Sequence, residues 1–505
     1  MFNPVQRCFE QETYQLFTVR KSPMLFPVFR FPGFGLDKDA PVPMIHIPLF
    51  TVGILQAERK RRRMQEGREG NAYRKRRFWV IGVFTYVLLT GVLVQFLMLP
   101  LCLPSMDCGN GLIRGSDAAG FHRVAVKQMT AMHAGGWTVW TLRPEGQSVA
   151  GIASVLYAVT GIAEPWLMLP VNAAIWAFSA WLLFLILRPL TGADSRAFLC
   201  SLPLVAGPSA LPFLTQIHKD PFIIAGTLVL WFALIRIMEG RKAGLRLKDG
   251  LRVLAWITAG LFLLWIGRPY LMFFALLGWA ITGVTLLLSD LVQRRFSRMA
   301  WFVVLLASFI SCALMRTRAA QDYATVGSET PQWAAKESNR YEYRSSGLGV
   351  VDSLFGRMVT MRAIYLQVYP DARSKLDEDV SMGSAFQVVA YLPRAVQILF
   401  WAPFPSAWVG GVGNNLLASV VYVETAIRYL LFPGLVWLGW RQRRCLSFWL
   451  PILFFIPWGV IYVITTPNLG TLIRVRYSLV MIMAALGLAG SMMLMDAVRR
   501  RRTSG

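Results

Sequence analysis

The sequence predicts an all-α polytopic membrane protein of about ten transmembrane helices, with two large outward-facing loops and a re-entrant or membrane-lying segment. Three observations carry that expectation. The chain of 505 residues is 55% hydrophobic, against about 45–50% in soluble domains, and its mean hydropathy is +0.48. Its apolar residues stand in long blocks rather than being spread periodically. Basic residues collect in every second connection between blocks, as orientation by cytoplasmic Lys and Arg requires.

A crossing needs roughly 20 mostly apolar residues. Blocks of that length lie near 79–103, 165–188, 197–215, 221–238, 251–267, 269–289, 300–316, 416–438, 446–466 and 473–495. The pairs 197–238 and 251–289 read as tight helical hairpins. The basic segments are ERKRRRMQEGREGNAYRKRR (58–77), RIMEGRKAGLRLKDGLR (236–252), QRRFSRM (293–299), RQRRC (441–445) and RRRR (499–502). An even number of crossings then places both termini in the cytoplasm. The stretch 386–408 is apolar, but a crossing there would turn RQRRC outward. Its Pro393, Arg394, Pro403 and Pro405 suit backbone buried in protein or lining a cavity.

The spans divide the chain into four regions. Residues 1–78 form a basic cytoplasmic segment with no cleavable signal peptide. Within it, 44–56 is apolar but too short to span. Residues 79–316 form the membrane core, with a first outer loop at 104–164. Residues 317–415 hold the second outer loop and the re-entrant segment. Residues 416–505 form the last membrane helices and a basic tail. Lys and Arg number 52 against 27 acids, a net charge of +25. Loop bias and anionic lipids account for that excess, so membrane lipids are expected partners and nucleic acid is not. The six cysteines include no CxxC pair and no metal spacing. Cys102 and Cys108, just past the first span, read either as a small disulfide loop or as two unrelated thiols.

Ionisable groups near membrane depth each need a reason. Asp117 opens a helical pattern in GSDAAGFHRVAVKQM (115–129), with Phe121, Val124, Ala125 and Met129 on one face. It either caps a membrane-lying helix as an N-cap residue or serves as a carboxylate at the membrane edge. His122 and Lys127 stand behind it. Lys219 and Asp220 interrupt two apolar helices in LTQIHKDPFIIAG (214–226), next to His218. They are either a capped turn or an acid and a cation facing a cavity. Arg268 in WIGRPY and Arg474 and Arg476 in TPNLGTLIRVRYSLV lie on the outward side, against the charge bias. They either snorkel to the interface or bind a phosphate, which Arg grips bidentately. No GxxxxGK[ST], GxGxxG after a strand, or HExxH is present.

This arrangement resembles the glycosyltransferase C superfamily, polytopic enzymes that move sugars from polyprenyl-phosphate donors, and within it the aminoarabinose- and mannosyltransferase-like proteins. Asp117, Phe121 and Ala125 are similar to that family's acid–aromatic–alanine pattern in the first outer loop. GGW (135–137) with Pro144 is similar to the part of that loop just beyond the pattern. Asp220 is similar to a second acid at the outer start of a later helix, and Arg474 or Arg476 to a basic residue that meets the donor phosphate. The resemblance covers roughly 79–290 and, more loosely, the end of the chain. Ala118 after Asp117 departs from the usual adjacent acidic pair, so no cofactor is expected and a divalent metal is left open.

The resemblance implies an inverting sugar transfer on the outer face of a bacterial inner membrane. The partners are a polyprenyl-phosphate-linked sugar and a glycan or lipid acceptor. Asp117 and Asp220 are the expected catalytic residues. His122, Lys127, Lys219, Arg268, Arg474 and Arg476 are the expected substrate-binding residues. The KD at 219–220, APFPSAW (402–408) and RVRY (474–477) are also similar to features of surface-polysaccharide membrane proteins. A polymerase of lipid-linked repeat units is therefore the alternative. A transporter is the weakest reading, because no internal repeat is visible and the acids lie at helix ends.

Overall fold

The computed structural model describes residues 74–294, 296–317, 343, 344, 347, 349–368, 374–408 and 416–504. Segment 44–56 and, within the 317–385 loop, residues 318–342, 345, 346, 348 and 369–373 lie outside the described residues. The chain divides into two units, Met1–Trp79 and Val80–Gly505. The helices of the second unit are α1 (Arg74–Cys102, begun in the first unit), α2 (Asp117–Gly135), α3 (Ser148–Thr160), α4 (Leu169–Thr191), α5 (Asp194–Ala206), α6 (Asp220–Ala243), α7 (Leu247–Gly267) and α8 (Leu271–Gln293). They continue with α9 (Arg298–Met315), α10 (Gly349–Val368), α11 (Ala385–Trp401), α12 (Leu416–Arg441), α13 (Leu446–Thr465), α14 (Leu469–Val475) and α15 (Tyr477–Ser504). Among the described residues there is no strand, and nine helices are long and apolar enough to cross a membrane. The chain is an all-α polytopic membrane protein.

Helix α6 forms the centre of the bundle. It is apolar around its whole circumference and buried along most of its length, the signature of a helix with no lipid or water face. It packs on α7, α4 and α13. Helix α1 shows the opposite pattern, exposing Leu89, Leu93, Phe96 and Leu101 as a lipid-facing surface does.

The expected crossing at 197–215 is not one straight helix. Asp194–Ala206 and Pro208–Leu214 meet at a bend of 50°. Gly207 is extended and Pro208 removes a donor, so the helix ends there. The pair still runs from one end of the bundle to the other along α15. Arg196 pairs with Asp496 near the end of α15, Cys200 meets Met492, and Tyr477 at its start donates to the Leu204 carbonyl. Helix α5 therefore lies on α4 and α15 instead of forming a tight hairpin with α6.

Helices α12 and α15 run parallel and nearly touch. A Cβ at Gly490 would collide with the Gly434 carbonyl, and one at Gly434 with the Gly487 carbonyl. Small residues permit such backbone approach in membranes. Helix α11 has 17 residues, about 25 Å at 1.5 Å per residue, which is short of a hydrocarbon core of roughly 30 Å. It packs on α13 and α10. The 104–164 loop is folded around the antiparallel pair α2 and α3. Cys102 and Cys108 are exposed free thiols, so the disulfide alternative is not realised.

Candidate functional site

The start of α6, the α7–α8 turn, the end of α13 and the start of α15 lie at one end of the bundle. The basic connections between spans lie at the other. At the first end the chain must leave helical geometry, and the freed backbone groups need internal partners. Buried carboxamides supply them. Gln95 of α1 donates to the Thr215 carbonyl at 2.5 Å. Asn172 of α4 donates to the Gln216 carbonyl at 2.8 Å and to that of Leu214 at 3.3 Å. Gln216 accepts from the Ile113 amide at 3.1 Å and donates to the Gly111 carbonyl at 3.1 Å. Gly111 has φ +67°, and a Cβ there would strike the Gln95 backbone. This network ties the segment before Asp117 to the segment before Asp220. Gln216→Leu is expected to orphan the Ile113 amide and the Gly111 carbonyl. The cost is about 1–3 kcal/mol for each group left buried, read as a lowered Tm in detergent.

Asp220 is the first residue of α6, ahead of Pro221, and is 2% exposed. Its Oδ1 accepts from Arg268 Nη2 at 3.0 Å. Arg268 Nη1 also donates to the Tyr270 and Tyr462 hydroxyls at 3.3 and 3.4 Å. Asp220 Oδ2 stands 3.2 Å from Arg474 Nε, yet neither atom is aligned for a hydrogen bond and both lack one. Arg474 Nη1 reaches over to Asp117 Oδ2 at 2.8 Å. The two acids, far apart in sequence, thus meet through one guanidinium.

Asp117 is not the helix cap that its position suggested. Ser116 occupies the N-cap, Asp117 is the first helical residue, and no side-chain cap bond forms. Its carboxylate is committed to Arg474. Burial raises its pKa, but the ion pair and hydrogen bond to Arg474 outweigh that and hold it below the usual carboxylate range. His218 lies between Phe213 and Phe121, with ring centroids at 5.2 and 6.1 Å. Its Nδ1 accepts the Asp220 amide at 3.3 Å and faces Asp220 Oδ2 at 3.1 Å. Burial holds the imidazole below its ordinary pKa.

Lys219 extends over the Phe121 ring, with Nζ 5.6 Å from the centroid. It makes no hydrogen bond among the described residues. Burial and the neighbouring Arg268 push it down to about 8. Among the described residues Lys219, Arg268 and Arg474 face two carboxylates, and an ordered anion is the partner that this imbalance admits.

The other expected residues stand apart. His122 Nδ1 pairs with the Tyr157 hydroxyl at 3.0 Å. Lys127 pairs with Glu145 at 2.7 Å on the surface. Arg476 is buried and donates to the carbonyls of Ile398 at 2.5 Å, Leu399 at 2.8 Å and Ala402. It caps the C-terminus of α11, where a cation suits both the orphan carbonyls and the helix dipole. His218, Tyr270 and Tyr462 were not among the expected site residues. His218 and Tyr270 lie inside the HKD and GRPY motifs, whereas Tyr462 gave no signal beyond its place near the end of a span. Among the described residues no three His, Cys, Asp or Glu side chains group as metal ligands.

Fold and site together define a polytopic α-helical membrane protein with an arginine-bridged pair of acids at one end of its bundle. No protein-family model and no curated protein matches the sequence. Among solved structures, the chain is similar to the apo form of the oligosaccharyltransferase of Archaeoglobus fulgidus, with a TM-score of 0.45 and 14% identity over 84% of this chain and 52% of that one. It is also similar to the archaeal oligosaccharyltransferase AglB from Archaeoglobus fulgidus in complex with an inhibitory peptide and a dolichol-phosphate. There the TM-score is 0.42 and the identity 14%, over 85% of this chain and 51% of that one. The chain spans about half the length of these structures.

Proposed function

We propose that this protein is a membrane glycosyltransferase of the glycosyltransferase C type. It moves a sugar from a polyprenyl-phosphate donor to a glycan or lipid acceptor on the outer face of a bacterial inner membrane. The observation that carries this reading is the convergence of Asp117, Asp220, Arg474, Arg268 and Lys219 at one end of the bundle. The end opposite carries the basic connections after α6, α8 and α12 and the basic tail of α15, so charge bias turns the cluster outward, with both termini cytoplasmic. Acids at helix ends rather than at mid-span support transfer over transport.

The chemistry follows from the partners. The donor phosphate binds Lys219 and draws Arg474 from Asp117. Freed of its cation, Asp117 rises toward ordinary carboxylate basicity. The acceptor hydroxyl attacks the anomeric carbon from the face opposite the phosphate and passes its proton to Asp117. The bond between that carbon and the phosphate oxygen breaks, and the polyprenyl phosphate leaves with the electron pair. Arg474 and Lys219 stabilise the charge that grows on it. Asp220 and Arg268, anchored by Tyr270 and Tyr462, hold Arg474 in place. Membranes lacking the protein should accumulate the lipid-linked sugar and lose a surface glycan or glycolipid. Unchanged pools of both overturn the reading.

Lys219 supplies a pH test. Its ammonium is charged below about pH 8 and neutral above, so attraction for the donor phosphate is present below that pH and lost above it. Between about pH 7 and about pH 9 the donor KM is expected to rise by up to about ten-fold, following the charged fraction, and kcat to fall as well, since the same ammonium stabilises the leaving phosphate. Lys219→Met should flatten that profile. A KM independent of pH in the wild type removes Lys219 from the phosphate site.

A further inference from the structure

Helices α12, α13 and α15 and the end of α11 enclose an apolar cavity of about 510 Å³, which has no lining residue in common with the acid–arginine cluster. Trp401, Phe432, Val436, Trp440 and Ile452 line it, and its only charged lining residues among those described are the cations Arg428 and Arg443. Arg428 belongs to a membrane span, where an ionisable side chain is costly without a partner. Its Nη2 donates to Thr425 Oγ1 at 2.5 Å. Its Nε and Nη1 are buried and find no acceptor among the described residues. Glu424, one turn away, is occupied by the Ser209 amide at 3.1 Å and the Ser209 hydroxyl at 3.0 Å. Two orphaned donors on a charged group call for an oxyanion.

The cavity around them calls for hydrocarbon. Val436 and Trp440 line it and are 54% and 66% exposed, so it opens on the lipid-facing side of α12. The Thr425 bond aims the guanidinium toward the start of α12, and the cavity extends the other way. From Arg428 to Trp440 is about 18 Å at 1.5 Å per residue, comparable to one extended acyl chain. We propose that this cavity holds one anionic membrane phospholipid, its phosphate beside the Arg428 guanidinium and one acyl chain lying along α12 toward Trp440. The occupant is not the sugar donor. A donor whose sugar reaches Asp117 has its phosphate at Lys219 and Arg474, and Arg476, in contact with the small space beside Arg428, is spent on backbone carbonyls. The proposal stands independently of the glycosyltransferase reading.

The test uses the full chain, purified in detergent from membranes containing phosphatidylglycerol and washed extensively. Retained lipid is then measured by mass spectrometry. The wild type should keep about one phosphatidylglycerol per chain. Arg428→Leu removes the head contact and Val436→Trp fills the groove while leaving Arg428 in place. Retention should fall at least ten-fold in each. Added phosphatidylglycerol should raise the wild-type Tm but not that of either variant. Equal retention in the wild type and in a folded variant overturns the site. So does a wild type that retains only an isoprenoid phosphate, or no lipid at all.

Discussion

Asp117→Asn is expected to lower sugar transfer by about 10²–10⁴-fold, the usual contribution of a positioned base, while the protein remains folded and the lipid-linked donor accumulates. The asparagine keeps the shape of the side chain and an oxygen for Arg474, but it cannot take the acceptor proton. Little stability should be lost, because the side chain of Asp117 is 46% exposed and its partner Arg474 retains Asp220 nearby. Donor KM should not rise and is expected to fall, since Lys219 and Arg474 both remain and the phosphate no longer competes with a carboxylate for Arg474. The measurement is transfer from a polyprenyl-phosphate sugar in proteoliposomes, with expression and Tm checked alongside. Full activity in a folded Asp117→Asn protein would sink the base assignment and leave the carboxylate as an anchor for Arg474.

Much of this architecture is legible in the residues themselves. Span length and the alternation of basic loops are written in composition, so nine of the ten expected crossings correspond to long apolar helices. The tenth is bent because Gly207–Pro208 interrupts it, a signal present in the sequence but hidden by the surrounding apolar residues. The site was legible as separate ends: HKD before α6, GRPY after α7, RVRY before α15. Their meeting was not, because Asp117, Asp220 and Arg474 are joined only by tertiary packing. Periodicity explains two of the misplaced candidates. On α2, His122 points about 140° away from Asp117 at 100° per residue, so it faces Tyr157 of α3. Arg474 and Arg476 differ by about 200° on the same count. One therefore turns to the acids and the other to the carbonyls of α11. Tyr462 at the end of an apolar span reads as an ordinary interfacial aromatic, and only its contact with Arg268 marks it as part of the site.

The strongest stability effect is expected at the buried pair. Arg268→Leu leaves Asp220, 2% exposed, with a carboxylate oxygen that has lost its one aligned cation, and should cost about 3–5 kcal/mol. The same substitution removes a support of Arg474, so transfer falls as well, and a single variant cannot separate the two effects. A second substitution can. Arg268→Leu combined with Asp220→Leu removes both charges, and replacing a buried pair by apolar residues is often neutral or stabilising. The double variant should therefore recover most of the lost Tm. Asp220 and Arg268 position Arg474 for the donor phosphate, so it should recover little of the activity and its donor KM should stay raised. Recovery of stability and transfer together would make the pair a structural tie with no part in binding. Recovery of neither would mean that the packing around Tyr270 and Tyr462, rather than the charges, needs the guanidinium. Only the split, with fold restored and donor affinity lost, fits a pair whose work is to hold Arg474 between two acids until a phosphate draws it away.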